Sequence, residues 1–353
     1  MKTIYQNELH PGAHGKLKGR VGKFLAPTLR DVARRACVST ATASRVLNES
    51  TTVSLPIRER VEEAVRILGY TPNKIATSLR LQSPQTISLL IPDITNPFFA
   101  DVAKAAERIL RRAGYSCLLC DTEGDVAAEE RDATLCLHRR VDGMLVISNN
   151  STAAFFEKLG RQGQAVVLVD RPASHDLDSV RVDNEDGTLQ VVSHLAARGR
   201  KRLAIISGPL TLLPAKERFH AFVTGLALHN LPRVEDYLHV TGFSIAHGYD
   251  AARFLLALDP PPDAIFAGNN TLGIGAIRAT KERGCRIPED VAVIMFDDVY
   301  LAESLEPPVT VIAQPTEQIG TVAAQLLLER LDDPHRQPRE VLLRPQLIVR
   351  GSA

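Results

Sequence analysis

Polar side chains that could bind or react with a small molecule follow several apolar runs of the sequence. The runs read as buried β-strands, and the residues that follow them are Asp93, Asp121, Asp170, Asn269 and Asp297. In open α/β sheets, ligands bind beyond the carboxyl ends of strands, so this pattern predicts a cleft between two lobes. The carboxylates could perform acid–base chemistry, or they could equally hold a polar ligand in place.

The motifs of common enzymes are absent from the sequence. It has no GxxxxGK[ST] phosphate loop, HExxH zinc motif or GxSxG nucleophile elbow, and the segment Gly273–Arg278 lacks the third glycine of GxGxxG and reads as helix packing. Cys117 and Cys120 have redox or zinc spacing, but a predicted buried strand would point them to opposite faces, as core hydrophobes. We therefore predict no enzyme, no metal and no cofactor.

The elements that must carry these residues are short strands alternating with helices. From residue 86 onward, near-continuous apolar runs alternate with amphipathic helical patterns. This alternation indicates parallel sheets covered on both faces. About ten such runs predict two doubly wound sheets, and hence a two-lobed α/β body.

Charge is distributed unevenly along the 353 residues. Residues 1–82 contain 14 Lys and Arg against 6 Asp and Glu, a net +8, whereas the remainder contains 28 against 35, a net −7. A basic end on an acidic body suggests nucleic-acid binding, although charge alone leaves a solvated basic tail open. No secretory signal or membrane-length apolar run is found, and five scattered cysteines suit a reducing compartment, so we expect a cytoplasmic protein without membrane contact.

Three short helical patterns follow a basic arm at residues 1–27. Thr28 and Asp31 predict a capping box for the first, and Ser39 predicts the N-cap of the second. The third has Ser54 as its expected cap and Pro56 in its first turn, and a glycine ends it.

The second helix, residues 40–48, has an outer face of small side chains. Ala43, Val46 and Leu47 can pack inward, which leaves an outer stripe smooth enough to enter a major groove. On that stripe Arg45 could donate two hydrogen bonds to a guanine, and Ala41 could touch a thymine methyl. A small-residue packing helix is the alternative, which the preceding capped helix and short turn weaken.

Long motifs in order along the chain resemble the lactose/galactose repressor family. They include "TLRDVARRACVSTATASRVLNES", "TISLLIPDITNPFF", "VVLVDRP", "HLAARGRKRLAIISGP" and "IPEDVAVIMFDD", and the resemblance covers nearly everything from residue 28 to 351. It implies an N-terminal helix-turn-helix headpiece, a hinge helix at "PNKIATSLR", and a body like periplasmic sugar-binding proteins.

The resemblance also implies DNA contacts. Thr40, Ala41 and Arg45 match base-reading positions, and Leu79 matches the hinge residue that wedges into the minor groove. The expected DNA-binding set is Thr28, Thr40, Ala41, Thr42, Ser44, Arg45, Asn48, Asn73, Ala76 and Leu79.

In the body, the resemblance implies a site for a sugar or purine. The matching positions are Asn96, Phe98, Asp170, Arg218, Asn269, Asp297 and Gln314, of which we expect four or five to line the cleft. Carboxylates and amides suit hydroxyls, arginine makes forked contacts, and an aromatic ring covers an apolar face.

The sequence departs from the family pattern at several positions. Cys37 stands where glycine is usual, and if that position needs a positive φ, cysteine is strained there. With Ala43 in place of a commoner valine, we expect reduced headpiece stability without loss of DNA binding. In the body the unusual residues are Leu212, Pro214, Asn270 and Met295. They leave open a less polar or smaller effector, or a pocket without one.

We therefore expect a ligand-responsive repressor of carbohydrate genes, acting as a homodimer or tetramer on a near-palindromic operator in double-stranded DNA. A solute-binding protein without a regulatory role and an α/β enzyme are the alternatives. The predicted domains are an arm (1–27), a headpiece (28–71), a hinge and linker (72–84) and a body (85–353). We expect lobe 1 of the body at about 85–171 plus 315–341, and lobe 2 at about 172–314 plus 342–353.

Overall fold

A computed structural model describes residues 27–47, 53–70, 84–149, 154–171 and 174–353. The chain separates into two compact units, Met1–Thr77 and Ser78–Ala353, and each is described here by itself. The predicted basic arm and hinge helix lie almost wholly outside the described residues.

The described part of the N-terminal unit contains helices α1 (Leu29–Arg35), α2 (Thr40–Leu47) and α3 (Leu55–Leu68). The predicted capping box of α1 is confirmed, since the Thr28 amide donates to Asp31 Oδ2 at 2.9 Å and the Asp31 amide donates to Thr28 Oγ1 at 3.4 Å. The three helices share a small core that contains Val32, Ala43, Val46, Val61 and Ala64.

Two further helix caps in this unit have different outcomes. Ser39 caps α2 as predicted, because its Oγ accepts from the Thr42 amide at 3.0 Å. Ser54 is the N-cap residue of α3 as predicted, but its side chain makes no capping hydrogen bond. Pro56 stands at the second helical position and has no N–H, which removes one of the two amides that a cap residue can accept from.

The body contains two six-stranded sheets among its described residues. The first has the order β11-β5-β4-β3-β1-β2 with all strands parallel. The second has the order β12-β10-β9-β8-β6-β7, in which β12 alone runs antiparallel. The predicted pair of doubly wound sheets is confirmed.

The strands of the first sheet are β1 (Thr86–Ile91), β2 (Ser116–Asp121), β3 (Gly143–Val146), β4 (Ala165–Val169), β5 (Asp178–Val182) and β11 (Glu340–Leu343). Those of the second are β6 (Leu203–Ser207), β7 (Leu238–Val240), β8 (Ala264–Ala267), β9 (Ala292–Phe296), β10 (Thr310–Ala313) and β12 (Gln346–Ile348). The helices of the body are α4 (Pro97–Arg112), α5 (Val126–His138), α6 (Ala154–Arg161), α7 (Asn184–Ala197), α8 (Leu213–Leu228), α9 (Ile245–Ala257), α10 (Asn270–Glu282) and α11 (Thr316–Asp332).

Helices cover both faces of each sheet and bury its near-continuous apolar strands. On the first sheet α4 and α11 cover one face while α5 and α6 cover the other. On the second sheet α9 and α10 lie opposite α7 and α8. The order of strands reverses between β1 and β3 in the first sheet and between β6 and β8 in the second, and these reversals create crevices where ligands bind in such folds.

The first lobe contains one more strand than the sequence predicted. Strand β5 pairs with β4 in parallel, with Val169 opposite Val180, so the first lobe continues to residue 182 rather than ending near 171. Strand β11 then pairs with β5, so the chain leaves this lobe for the last time after Leu343, close to the expected boundary at about 341. The apolar pattern of β5 marks a strand but not the sheet that it joins.

Strand β2 differs from its predicted burial. It lies at the edge of the first sheet and is partly exposed along its length. Cys117 packs on the face covered by α4, and Cys120 packs on the opposite face, as strand alternation predicts. In the described residues no helix is both long and apolar enough to span a membrane.

Candidate functional site

A cavity of about 580 Å³ opens between the two lobes, at the carboxyl ends of the strands and beside both crevices. This volume is within the range of small-molecule sites. The structure places all seven predicted effector residues on its wall, which is more than the four or five expected: Asn96, Phe98, Asp170, Arg218, Asn269, Asp297 and Gln314.

Asp170 and Asp297 occupy corresponding positions in the two lobes, directly after β4 and β9. Both adopt left-handed backbone conformations, with φ of 62° and 74°, which cost strain energy in residues other than glycine. Each amide donates to the neighbouring strand, at 2.8 Å to the Val180 carbonyl and at 2.9 Å to the Ile312 carbonyl. These bonds fix the turns that bring both carboxylates to the cavity wall.

Arg218 on α8 is held rigidly at the wall. Its Nε donates to Asn184 Oδ1 at 2.8 Å, its Nη1 donates to the Gly268 carbonyl at 2.6 Å, and the guanidinium lies 3.5 Å from the centre of the Phe296 ring. Burial lowers the pKa of Arg218, and the nearby carboxylates of Asp297 and Asp170 oppose that shift. The fixed guanidinium can therefore donate to a ligand without first being ordered.

Asp297 sits in a network that limits its freedom. Its Oδ1 accepts from Gln314 Nε2 at 2.5 Å, and its Oδ2 accepts from the Asn270 amide at 3.3 Å. Burial raises the pKa of Asp297, although Arg218 favours the ionised form.

Two buried acceptor oxygens on the cavity wall have no hydrogen-bond partner among the described residues. They are Oδ1 of Asp170 and Oε1 of Gln314. A buried acceptor left unpaired costs free energy, so both positions favour a ligand that donates hydrogen bonds.

Asn96 and Asn270 join the two lobes at this cavity. Asn96 caps α4 by accepting from the Phe98 amide at 3.1 Å, and the same Oδ1 accepts from Asn270 Nδ2 at 2.8 Å. Asn96 Nδ2 in turn donates to Asn270 Oδ1 at 3.4 Å. Asn270 supplies one of these two donors through its Nδ2, which an aspartate carboxylate at this position would lack.

Several wall residues were not singled out from the sequence, above all Arg171. Its Nη1 donates to Asn149 Oδ1 at 3.1 Å, its Nε lies 3.6 Å from Asp170 Oδ2, and its guanidinium lies 5.5 Å from the centre of the Phe99 ring. Burial lowers the pKa of Arg171, and the nearby Asp170 carboxylate opposes that shift. Arg171 directly follows a predicted strand-end aspartate, and that signal could have identified it.

Behind Arg171, the buried carboxylate of Glu129 positions Asn149. Its Oε2 accepts from the Asn149 amide at 2.6 Å, and its Oε1 accepts from Ser148 Oγ at 2.6 Å. Burial raises the pKa of Glu129 despite these bonds. Phe243 also lines the cavity, but it comes from a loop before α9 where no local pattern indicates it.

The unusual body residues have separate roles. Leu212 and Pro214 lie on the cavity wall and make part of it apolar. Met295 is fully buried on β9 and packs against Gly273, where an added Cβ would lie only 2.5 Å from the Met295 Cβ. This contact supports the interpretation of the glycine segment as helix packing, and it places Met295 in the core rather than on the cavity wall.

In the headpiece, the proposed reading face of α2 is accessible. Thr40, Ala41 and Arg45 are exposed, while Ala43 and Val46 are buried. The intermediate positions are Thr42, whose hydroxyl lies 2.8 Å from Ser39 Oγ, and Ser44.

The other predicted DNA contacts divide into two groups. Thr28 is exposed, and its hydroxyl donates to Asp31 Oδ2 at 2.6 Å. Asn48, Asn73, Ala76 and Leu79 lie outside the described residues. Cys37, in the turn before α2, has a φ of 55°, so the strain expected of a side chain at that position is present.

A helix-turn-helix unit followed by a two-lobed binding body defines a class of regulators that read DNA and respond to a small molecule. The chain belongs to the LacI family of bacterial regulatory proteins. Residues 28–73 match the model described as "Bacterial regulatory proteins, lacI family", and residues 192–353 match a periplasmic binding protein-like domain. The chain is thus a DNA-binding transcriptional regulator, as the sequence predicted.

Individual relatives agree with this assignment. The chain is 36% identical to the ribose operon repressor of Escherichia coli (strain K12) over 329 residues, which cover 92% of this chain and 99% of the relative. It is 25% identical to the Lac repressor dimer solved with operator and the anti-inducer ONPF. The two structures superpose with a TM-score of 0.83 over 92% of this chain and 98% of the Lac repressor chain. A LacI family regulator of Enterococcus faecium solved with bound ribose is 29% identical, with a TM-score of 0.68 and coverage of 76% and 98%.

Proposed function

We propose that this chain is a repressor whose effector is ribose or a closely related pentose. The observation that carries the proposal is the pair of unpartnered buried acceptors, Asp170 Oδ1 and Gln314 Oε1, in a cavity that also holds two fixed arginines. Sugar hydroxyls can donate to the acceptors and accept from the guanidinium groups. The similarity to a ribose operon repressor and to a regulator solved with ribose supports this choice.

The aromatic side chains complete a site suited to a sugar ring. Phe98, Phe99 and Phe243 line the same cavity as the polar residues. Aromatic rings cover the apolar C–H faces of a sugar, whereas charged and amide groups bind the hydroxyls at its rim. The seven sequence-predicted residues, joined by Arg171 and Asn149, form the proposed effector site.

Because the site has walls from both lobes, effector binding would change their relative position. The effector can shift operator affinity only if it binds one arrangement of the lobes more tightly than the other. We propose that a homodimer presents two copies of α2 to a near-palindromic operator, with Arg45 reading a base edge. The Lac repressor relative was solved as a dimer on its operator.

The proposal excludes catalysis and places the protein in the cytoplasm with the DNA that it reads. The cavity carboxylates are bound to amides or lie beside arginines, which suits the holding of a neutral polar ligand. A solute-binding protein without a regulatory role is disfavoured by the headpiece. An enzyme is disfavoured because the relatives named above are transcriptional regulators.

Isothermal titration calorimetry with ribose, arabinose, xylose, glucose, cellobiose and a purine tests the effector assignment. We expect ribose to bind most tightly, and Arg218→Ala to weaken that binding by roughly 10- to 100-fold, since hydrogen bonds to charged groups contribute about 1.5–3 kcal/mol. Glu235→Ala is a matched control, because this exposed side chain pairs only with Arg233 among the described residues and does not line the cavity. Absence of ribose binding, or Arg218→Ala binding ribose normally, would refute the assignment.

A further inference from the structure

A pair of thiols lies beside the first-lobe wall of the cavity. Cys120 on β2 and Cys136 on α5 have their Sγ atoms 3.8 Å apart, which is van der Waals contact. Cys136 is 1% exposed, whereas Cys120 is on an edge strand and partly accessible. The pair that the structure brings together is therefore not Cys117 with Cys120, the pair that sequence spacing suggests.

We propose that Cys120 and Cys136 form a peroxide-sensitive dithiol whose disulfide alters the first-lobe wall of the effector cavity. A disulfide has an S–S distance of about 2.05 Å, so closure brings the sulfurs together by a little under 2 Å. The site lies outside the proposed sugar contacts, and the inference does not depend on the identity of the effector.

The chemistry balances with a peroxide as oxidant. One sulfur attacks the O–O bond of hydrogen peroxide and becomes a sulfenic acid as the first water leaves. The second sulfur attacks the sulfenic sulfur, forms the disulfide and expels the second water, and the two thiol protons leave in the two waters. Cys120, the partly accessible partner, meets the peroxide first, and the buried Cys136, whose pKa a hydrogen bond from the Cys120 thiol lowers, supplies the thiolate that attacks the sulfenic sulfur.

Both ends of the disulfide belong to elements that hold Asn149 at the cavity. Cys120 is followed by Asp121, which lines the cavity, and by Thr122, whose hydroxyl accepts from Asn149 Nδ2 at 2.8 Å. Cys136 lies on the same helix as Glu129, which accepts from the Asn149 amide. A covalent link between β2 and α5 therefore acts on both supports of Asn149, and through Asn149 on Arg171.

The first test is peptide mass mapping of the full-length protein after treatment with hydrogen peroxide. We expect a Cys120–Cys136 cross-link that a dithiol reductant reverses. Cys117→Ala should still form it, whereas Cys120→Ala and Cys136→Ala should not. Cys117 is the matched control because it lies on the same strand but packs on the opposite face. A Cys117–Cys120 cross-link, or irreversible oxidation without any cross-link, would overturn the proposed site.

The second test is hydrogen exchange of the reduced and oxidised wild-type protein, so it does not depend on the folding of any variant. We expect altered protection of the amides of residues 122–124 and 148–149, with unchanged protection in the second lobe. Formation of the disulfide with identical exchange at these amides would overturn its coupling to the cavity.

Discussion

Asn96 and Asn270, which lie 174 residues apart, exchange side-chain hydrogen bonds of 2.8 and 3.4 Å between the two lobes of the body. Each asparagine acts as both donor and acceptor, which an asparagine–aspartate pair cannot reproduce. The contact joins the lobes directly, so these two side chains stabilise the arrangement in which the lobes meet.

Asn270→Asp should open the lobes in the absence of effector. The new carboxylate can still accept from Asn96 Nδ2, but it cannot donate to Asn96 Oδ1 as the Asn270 amide does. It also adds a buried negative charge close to Asp297. The lost bond alone contributes about 1 kcal/mol, and the added charge increases the effect. Small-angle scattering should show a larger radius of gyration, and Asn230→Asp, at an exposed position after α8, is the control. An unchanged radius would mean that the asparagine pair does not hold the lobes together.

Arg45→Ala should reduce discrimination between operator sequences. If Arg45 binds a guanine edge, its loss costs about 1–3 kcal/mol at one base position and little elsewhere. Binding to operators that carry single substitutions, measured at several salt concentrations, separates base reading from phosphate contact. Uniform weakening at all sequences would assign Arg45 to the backbone instead. Arg66→Ala, whose side chain pairs with Glu63 on α3, serves as the control.

Cys37→Gly should stabilise the headpiece by about 0.5–1 kcal/mol. A left-handed conformation costs roughly 1–2 kcal/mol for residues with a Cβ, and the greater unfolded-state entropy of glycine offsets part of this gain. Hydrogen exchange of the amides of α1 to α3 measures the change. Cys37→Ala removes the thiol but keeps the Cβ, so it should give no comparable gain. Equal stabilisation by both variants would show that the thiol, and not the backbone conformation at φ 55°, is responsible.

Glu129→Gln should change how stability depends on pH. Burial raises the pKa of Glu129 in the folded state, so the unfolded state releases this proton at a lower pH. Between the two pKa values the folded state binds more protons, and stability therefore falls as the pH rises through that window. Thermal unfolding of wild type and variant across the acidic range should show a steeper loss in the wild type, because the raised pKa values of Asp297 and Glu217 act in both proteins. Parallel curves would mean that Glu129 does not titrate in that window.

Much of the site could be predicted from the sequence because parallel strands bring their carboxyl ends to one edge. Asp170 and Asp297 were predicted from their place after apolar runs, and both line the cavity. Phe243 and the support of Asn149 by Glu129 could not be predicted in this way, because they depend on tertiary packing of loops and helices. The same holds for the dithiol, since strand spacing relates Cys120 to Cys117 and carries no information about Cys136.

The boundary between the two lobes also depends on tertiary packing and could not be predicted from the strand pattern alone. The apolar pattern of β5 is typical of a strand, but its assignment to the first sheet depends on pairing with β4. Likewise, Ser54 is the N-cap of α3 but makes no side-chain capping bond, and Pro56 removes one of the amides that it could accept from, an effect that residue preference at the cap does not include.

The chain passes between the lobes three times, and its last described segments complete both of them. Helix α11 and strand β11 belong to the first lobe, whereas β12 belongs to the second. During synthesis, the first sheet cannot gain its final strand until residues 340–343 have left the ribosome, and the second cannot until residues 346–348 have done so. The headpiece core, formed by residues 29–70, is available much earlier. A chain released prematurely therefore carries a complete headpiece core without a finished effector-binding body.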